Sequence, residues 1–480
     1  MKGLSVLDIV FSVLRLSVLF LAVGFTIYFL LHSMSAVFFP FDLDYGEGMQ
    51  LHMSYMLGKG SSLYRNLSSY PYLAYVHPPV YPLLSASLIS VTGKSFLAGR
   101  LISFTASLLT GLLIFLVVCK ETGNRLAGIL SALFFFSSPY VMSWSPLFRV
   151  DMLAVFLSLL GTYIFVLYGK SNKAYLSIPV FLLAVYSKQS AFVAPLAVCL
   201  CLLYKDPKKS LRYALVFGIS FVAIFIALDH VTGGEFYRNL VLYNELSYSI
   251  PHALQLIYAF ILLHAVLLFF AAAHLKKSAA TVWPIYFFVS IASSFAMLGR
   301  TGSTINYFLE PIALLSVFAG FFLHRSGLLR LTGGTCLKTV LFAVLAVVQF
   351  SLFALAISEP QLFFLVPTQN ESAESRMYGI LRGADGPVLS EVAGFSVLKD
   401  DDALIDSYMM YELEKKGLWN HSRLVRDCYA KKFSLIVLVY YNRLDEFRDL
   451  MECVDRNYRQ IDRIKYFESG YPFYVYERAG

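Results

Sequence analysis

Runs of roughly 20 apolar residues recur along the first three quarters of the chain, separated by short polar connectors. A helix needs about 20 such residues to cross a bilayer, so the pattern predicts about eleven spans, at 9–31, 101–118, 126–143, 152–168, 174–187, 190–204, 211–229, 252–273, 281–298, 304–323 and 336–357. The first run is too long for a signal-peptide core and lacks a small-residue cleavage site, so it reads as a retained helix. Val80 to Val91 is apolar over only half a span. It reads as a surface or re-entrant helix within the first outer loop.

After Pro360 the pattern changes. VLSEV, ALID, SLIVLVYY and YPFYVYER read as strands. Glu371–Leu381, Ser407–Lys416, Ser422–Lys432 and Leu444–Arg456 read as amphipathic helices. The expected architecture is therefore a polytopic α-helical membrane domain, residues 1–358, followed by a small α/β domain, residues 359–480. The first outer loop, 39–100, carries juxtamembrane helices.

Composition agrees: 58% of residues are hydrophobic and 15% charged, where a soluble domain is about half apolar and a quarter charged. Of the net charge of +8, the tail from Glu359 carries −4, so the membrane part carries +12. Lys2, Lys120, Arg125, Lys170, Lys173, Lys205, Lys208, Lys276, Lys277, Arg325 and Arg330 fall in alternate connectors. The positive-inside rule makes those connectors and the N-terminus cytoplasmic. An odd span count then puts the C-terminal domain outside. The basic excess belongs to the membrane part, which argues for orientation and lipid contact and against nucleic-acid binding. The six cysteines form no metal pattern. Cys428 and Cys453 in the tail can pair if the tail lies in an oxidising compartment.

The expected outer face collects the chemistry. Asp42-Leu43-Asp44 follows the first span, with Glu47 three residues on. Asp44 can cap a helix starting near Tyr45 with Glu47 at the capping-box position. Alternatively, one of these carboxylates is a general base that takes a proton from an acceptor hydroxyl. His77 precedes two prolines and is open to packing, phosphate or sugar. Arg149 suits phosphate through its planar fork, with Asp151 positioning the loop or sugar, or the two mark a helix end as a local ion pair. Lys188 breaks a hairpin of two apolar spans and either snorkels or meets phosphate. Arg300, Asn306 and Glu310 form the other dense spot. Asn306 and Glu310 share one face if a single helix holds both, and a carboxylate inside an apolar span is a functional candidate.

DLDYGEG after the first span, GKGSSLY, HPPVYPLL, GRLISF and RVDML occur in that order between Phe41 and Leu153. In this the chain resembles the GT-C superfamily of integral-membrane glycosyltransferases, nearest the group of protein O-mannosyltransferases and lipid A aminoarabinose transferases. The resemblance implies a polyprenyl-phosphate sugar donor, an extracytoplasmic acceptor (glycan, lipid or protein), and an inverting displacement. It carries the catalytic-acid role best onto Asp44, with Asp42 as runner-up, and a supporting role onto Asp151. Where aminoarabinose transferases commonly have Glu-Lys-Pro-Pro, this chain has Val76 and His77 before the prolines, so neither a particular sugar nor a metal is implied. No cofactor is expected; a divalent metal is left open without any indication of one. The bacterial inner membrane is the expected location. The competing readings are a lipid-linked sugar flippase or transporter, and a non-catalytic membrane scaffold.

Overall fold

The computed structural model describes residues 6–169, 171–276, 281–327, 336–358, 371–399, 403–439, 443–465 and 472–479. Lys2, Lys170, Lys277 and Arg330, and the expected domain boundary after residue 358, lie outside or at the edge of these residues. Each of the eleven expected spans coincides with helix. Six helices are long and apolar enough to cross a membrane alone: Leu16–Phe38, Leu97–Thr122, Asp151–Tyr168, Pro207–Val231, Ile305–Ser326 and Val340–Ser358. A seventh candidate, Ile250–Leu263 with Ala265–Leu275, is bent by 78°. Arg125–Ser137, Asn172–Val185, Gln189–Lys205 and Val282–Met297 are shorter apolar helices. The chain is a multi-pass helical membrane protein.

The bend is stabilised by side chains. Gln349 is fully buried. Its amide nitrogen donates to Leu263 O at 2.6 Å, and its oxygen accepts from Val266 N at 3.2 Å and Leu267 N at 3.3 Å. His264, at the break, bonds Ser138 through Nε2 at 3.0 Å. Backbone groups freed by a break cannot turn to water inside a bilayer, so protein groups must satisfy them.

The first polar loop folds into helices Tyr45–Gly58 and Val80–Thr92. The second is the expected half-span element. It buries Tyr81, Ser85 and Ile89 and exposes Leu83, Leu84 and Val91. Asp44 is the N-cap of the first helix and accepts from Gly46 N at 3.0 Å. Glu47 occupies the capping-box position but reaches one residue further back, accepting from Leu43 N at 2.7 Å. Two glycines of DLDYGEG allow close approach. A methyl at Gly46 would lie 1.4 Å from Arg149 Nη1, and one at Gly48 would lie 2.2 Å from Gly394 N.

The C-terminal domain holds four strands: β1 Val388–Ser390, β2 Leu435–Leu438, β3 Tyr458–Lys465 and β4 Pro472–Arg478. Their order is β1-β2-β4-β3, parallel for β1–β2 and antiparallel otherwise. Three expected strands are β1, β2 and β4. The fourth, ALID, is no part of the sheet; Ile405 instead bridges Tyr72 of the first polar loop, with Tyr72 N donating to Leu404 O at 2.8 Å. β3 was not expected, because YRQIDRIK carries charge throughout. It is an edge strand, where charged side chains protect an open ladder. Helices Glu371–Arg382, Ser407–Lys415, Ser422–Tyr429 and Arg448–Asn457 match the expected four. Ala393–Leu398 is an additional helix that packs on Tyr45–Gly58. Cys428 and Cys453 form a disulfide, with Cα atoms 6.3 Å apart.

Candidate active site

A cavity of about 910 Å³ opens between the first polar loop, the cavity-side ends of several apolar helices and the C-terminal domain. That lies near the top of the ordinary range for ligand sites, about 300–1,000 Å³. Of the three carboxylates expected as catalytic, only Asp44 lines it. Asp42 is buried against Gly394, where a methyl would lie 1.9 Å from its Oδ2. Glu47 is fully buried and committed to structure. It binds Arg100 through both oxygens and accepts from Phe148 N at 2.6 Å. A carboxylate with every direction occupied has no room for a substrate proton, so the expected role for Glu47 is corrected.

Arg149 pairs with Asp44 at 3.2 Å (Nη1–Oδ1), not with its sequence neighbour Asp151. Both groups are partly exposed to the cavity. Burial raises the Asp44 pKa; Arg149 pulls it down and Glu47 pushes it up again. Burial works against the Arg149 charge, but the carboxylates of Asp44, Asp151 and Glu47 outweigh it and raise its pKa. Asp44 thus joins two demands: it caps a helix through Oδ1 and faces the cavity beside a fixed cation.

Asp151 opens helix Asp151–Tyr168 and gathers the next group. Lys188 Nζ lies 2.5 Å from Oδ1 and Asn306 Nδ2 donates to the same oxygen at 2.8 Å. Trp144 Nε1 donates to Oδ2 at 2.8 Å. Lys188 therefore does not snorkel; it is held in the cavity wall, over the Tyr307 ring at 4.4 Å. Asn306 and Glu310 both lie in the helical span Ile305–Ser326, but not in one α-helical segment: Asn306 is in its opening 3₁₀ turn, Ile305–Phe308, and Glu310 is in the first turn of the α-helix Leu309–Ser326 that follows. Glu310 lies outside the main cavity, in a small void of about 20 Å³ that also touches Asp151, Lys188 and Asn306. It accepts from the Tyr286 hydroxyl. Arg300 lines the main cavity and is fixed by Asn244, whose Oδ1 accepts at 3.0 Å.

His77 also lines the cavity. Burial, and then the Arg149 charge, lower its pKa to about 3, so the ring is neutral at pH 7. Its Nδ1 is buried with no hydrogen-bond partner. Among the described residues no three His, Cys, Asp or Glu side chains converge to hold a metal ion.

Sequence reasoning missed two contributions. Arg100, part of GRLISF, supports the loop from below. Asp406, Tyr408, Glu412 and Arg443 bring the C-terminal domain into the cavity wall. No linear motif marks the latter, which meet the loop only through tertiary folding.

A sequence model of the family described as Dolichyl-phosphate-mannose-protein mannosyltransferase matches residues 76–232, about a third of the chain. No curated protein matches significantly. Among solved structures, ArnT from Cupriavidus metallidurans in the apo state superposes with a TM-score of 0.66 at 13% identity, covering 95% of this chain and 98% of that one. The same protein bound to undecaprenyl phosphate gives 0.67 at 12% identity, with 95% and 97% covered. An Archaeoglobus fulgidus oligosaccharyltransferase in complex with zinc and sulfate gives 0.56 at 13% identity, covering 95% of this chain and 72% of that one. The resemblance drawn from the ordered motifs is borne out, and the chain has the fold of these solved structures.

Proposed function

We propose that this chain is an integral-membrane glycosyltransferase that moves a sugar from a polyprenyl-phosphate donor to an extracytoplasmic acceptor. Residues 1–358 form its catalytic domain, with 39–100 as the catalytic loop and 359–480 as an outer domain. The observation that carries this reading is the Asp44–Arg149 pair beside Lys188 in one cavity wall. It sets a base next to cations suited to phosphate.

The chemistry is a single displacement. Asp44 takes the proton of an acceptor hydroxyl as its oxygen forms a bond to the sugar C1. The bond from C1 to the phosphate oxygen breaks, and the phosphate leaves with the electron pair. Attack opposite the leaving group inverts C1. Arg149 and Lys188 balance the growing phosphate charge, as prepositioned cations do most effectively where water is scarce. Asp151 holds Lys188 and Asn306 in place. Arg300 and His77 line the remaining wall as substrate contacts, and Glu310 supports Lys188 from the void beneath. The ArnT relative was solved with undecaprenyl phosphate, which supports a lipid phosphate as the donor's carrier.

Eleven crossings with a cytoplasmic N-terminus fit the chain path. The helix ends remote from the cavity carry the basic connectors and bind one another. Trp283 Nε1 donates to Glu121 at 3.1 Å, and Lys209 Nζ donates to Gly169 O at 2.7 Å. The cavity and C-terminal domain then lie on the outer side, where a disulfide is stable. A bacterial inner membrane fits this arrangement.

The test is turnover of a radiolabelled polyprenyl-phosphate sugar by the purified chain. Release or transfer of sugar in detergent, where no leaflets exist, is expected. Movement of intact donor between vesicle leaflets without cleavage would instead identify a flippase.

A further inference from the structure

Building on the glycosyltransferase reading, we infer that the C-terminal domain supplies the acceptor subsite of the cavity, and that the acceptor is a neutral saccharide engaged by Tyr408, Glu412 and Arg443. Among the described residues, two side-chain polar atoms of the cavity lining are buried without a hydrogen-bond partner: His77 Nδ1 and the Tyr408 hydroxyl. His77 belongs to the loop that carries Asp44. Tyr408 belongs to the other wall. Buried polar groups are nearly always bonded, so an orphan on a cavity wall marks where a ligand supplies the missing partner.

The surroundings of Tyr408 define that ligand. Its hydroxyl packs on the glycine turn at 302, where a methyl would come within 2.7 Å. Glu412, 4% exposed, accepts from Ser247 Oγ at 3.2 Å through Oε2. Its Oε1 is 3.8 Å from Lys415 Nζ, too far for a hydrogen bond. The Arg443 guanidinium lies over the Tyr45 ring at 3.9 Å. Asp406 caps helix Ser407–Lys415 by accepting from Met409 N at 3.1 Å. Asp406, Glu412 and Glu446 are set against Lys415, Arg443 and Arg300 on this lining.

Fixed donors and acceptors of both signs, close together and balanced, suit a ligand whose every group both donates and accepts. Hydroxyls do so. A strongly charged acceptor would meet as many like charges as opposite ones. Backbone bonds tie Tyr72 to Leu404 and Asp406, at 2.8 and 2.9 Å, so the loop with the base is joined to the wall with the orphan hydroxyl.

Tyr408→Phe tests the assignment cleanly, because it removes only a hydroxyl that bonds nothing in the free protein. The full chain in detergent, loaded with undecaprenyl phosphate, would be titrated with neutral manno- and gluco-oligosaccharides, oligogalacturonate and a Ser/Thr-rich peptide. The neutral oligosaccharides should bind. Tyr408→Phe should weaken them about three- to tenfold, the size of one hydrogen bond, with Tm unchanged or raised and undecaprenyl phosphate affinity unchanged. Glu412→Gln should weaken them as well. Binding of only the peptide or only oligogalacturonate, absence of any saccharide binding, or an unchanged affinity in Tyr408→Phe would each overturn the inference. If the wild-type chain failed to bind undecaprenyl phosphate while still binding saccharide, the donor reading would fall and the saccharide site would stand as a lectin-like site.

Discussion

Arg100 and Glu47 form a fully buried ion pair that joins the second long helix to the first polar loop, with contacts of 2.6 Å (Nη2–Oε2) and 2.9 Å (Nε–Oε1). The rest of the guanidinium closes the end of the first helix, donating to Ala36 O at 3.0 Å, Phe39 O at 2.6 Å and Phe41 O at 2.5 Å. Ala36 O is in the last turn of that helix, where intrahelical donors run out, and Phe39 O and Phe41 O belong to the chain just beyond its end. One arginine therefore sets the exit angle of the first helix and the height of the loop that carries Asp44.

Breaking that pair should be costly. Arg100→Met leaves Glu47 buried and uncompensated, a loss of about 3–5 kcal/mol. Folded yield and Tm in detergent should drop sharply, and Glu47→Gln in the same chain should restore part of the loss. Wild-type stability in the single variant would contradict the keystone role.

Asp44→Asn separates cap from base. Asn is as good an N-cap as Asp. Burial penalises the Asp44 charge in the folded state at neutral pH, so the variant should hold its Tm or gain. Turnover should fall by about 10²-fold or more, the usual weight of a general base, while donor affinity stays. Arg149→Ala should instead weaken donor binding. Normal turnover in Asp44→Asn would remove Asp44 from the chemistry.

The rate should depend on pH through the same group. A base acts only when ionised, so turnover is full above the Asp44 pKa and falls as pH drops through it. Burial places that acid limb above the ordinary aspartate value of about 3.9. Arg149 lowers the Asp44 pKa, so residual activity in Arg149→Met should show the limb at higher pH. A pH–rate profile that does not move would show that another group sets it.

Gly46→Ala probes the space left for Arg149. A helix gains about 0.5–1 kcal/mol from Ala in place of Gly, but here the new methyl occupies the guanidinium's position. Arg149 must leave Asp44, so sugar transfer should fall much further than stability. Equal losses of both would mean that the glycine serves helix packing alone.

The Cys428–Cys453 bond closes a loop over a sequence separation of 25 residues. Replacing both with Ser should cost about 2–4 kcal/mol, read as a lower Tm of the full chain. In protein isolated from cells, maleimide should label neither thiol before reduction; ready labelling would place the domain in a reducing compartment.

Much of this could be read from the linear pattern. The helices follow from apolar run length, because a bilayer admits few other structures. The half-length apolar run at 80–91 predicted the short apolar helix Val80–Thr92. Three strands followed from β-branched and aromatic runs. The edge strand β3 did not, since its charges answer to an unpaired edge and hide the alternation that marks a buried face. ALID has strand composition but pairs through Tyr72 with a loop more than 300 residues away, a partner that no local rule supplies.

The sequence by itself determined a multi-pass helical protein, a small α/β domain, and a short inventory of polar residues among which the chemistry must lie. It did so because burial in lipid imposes composition directly on the chain. Tertiary structure alone decided what each polar residue does. DLDYGEG places three carboxylates within six residues, yet Asp42 packs on Gly394, Glu47 is taken by Arg100, and only Asp44 reaches the cavity. A carboxylate's role depends on which distant donors arrive beside it, and those arrivals are set by helix packing, not by sequence neighbours.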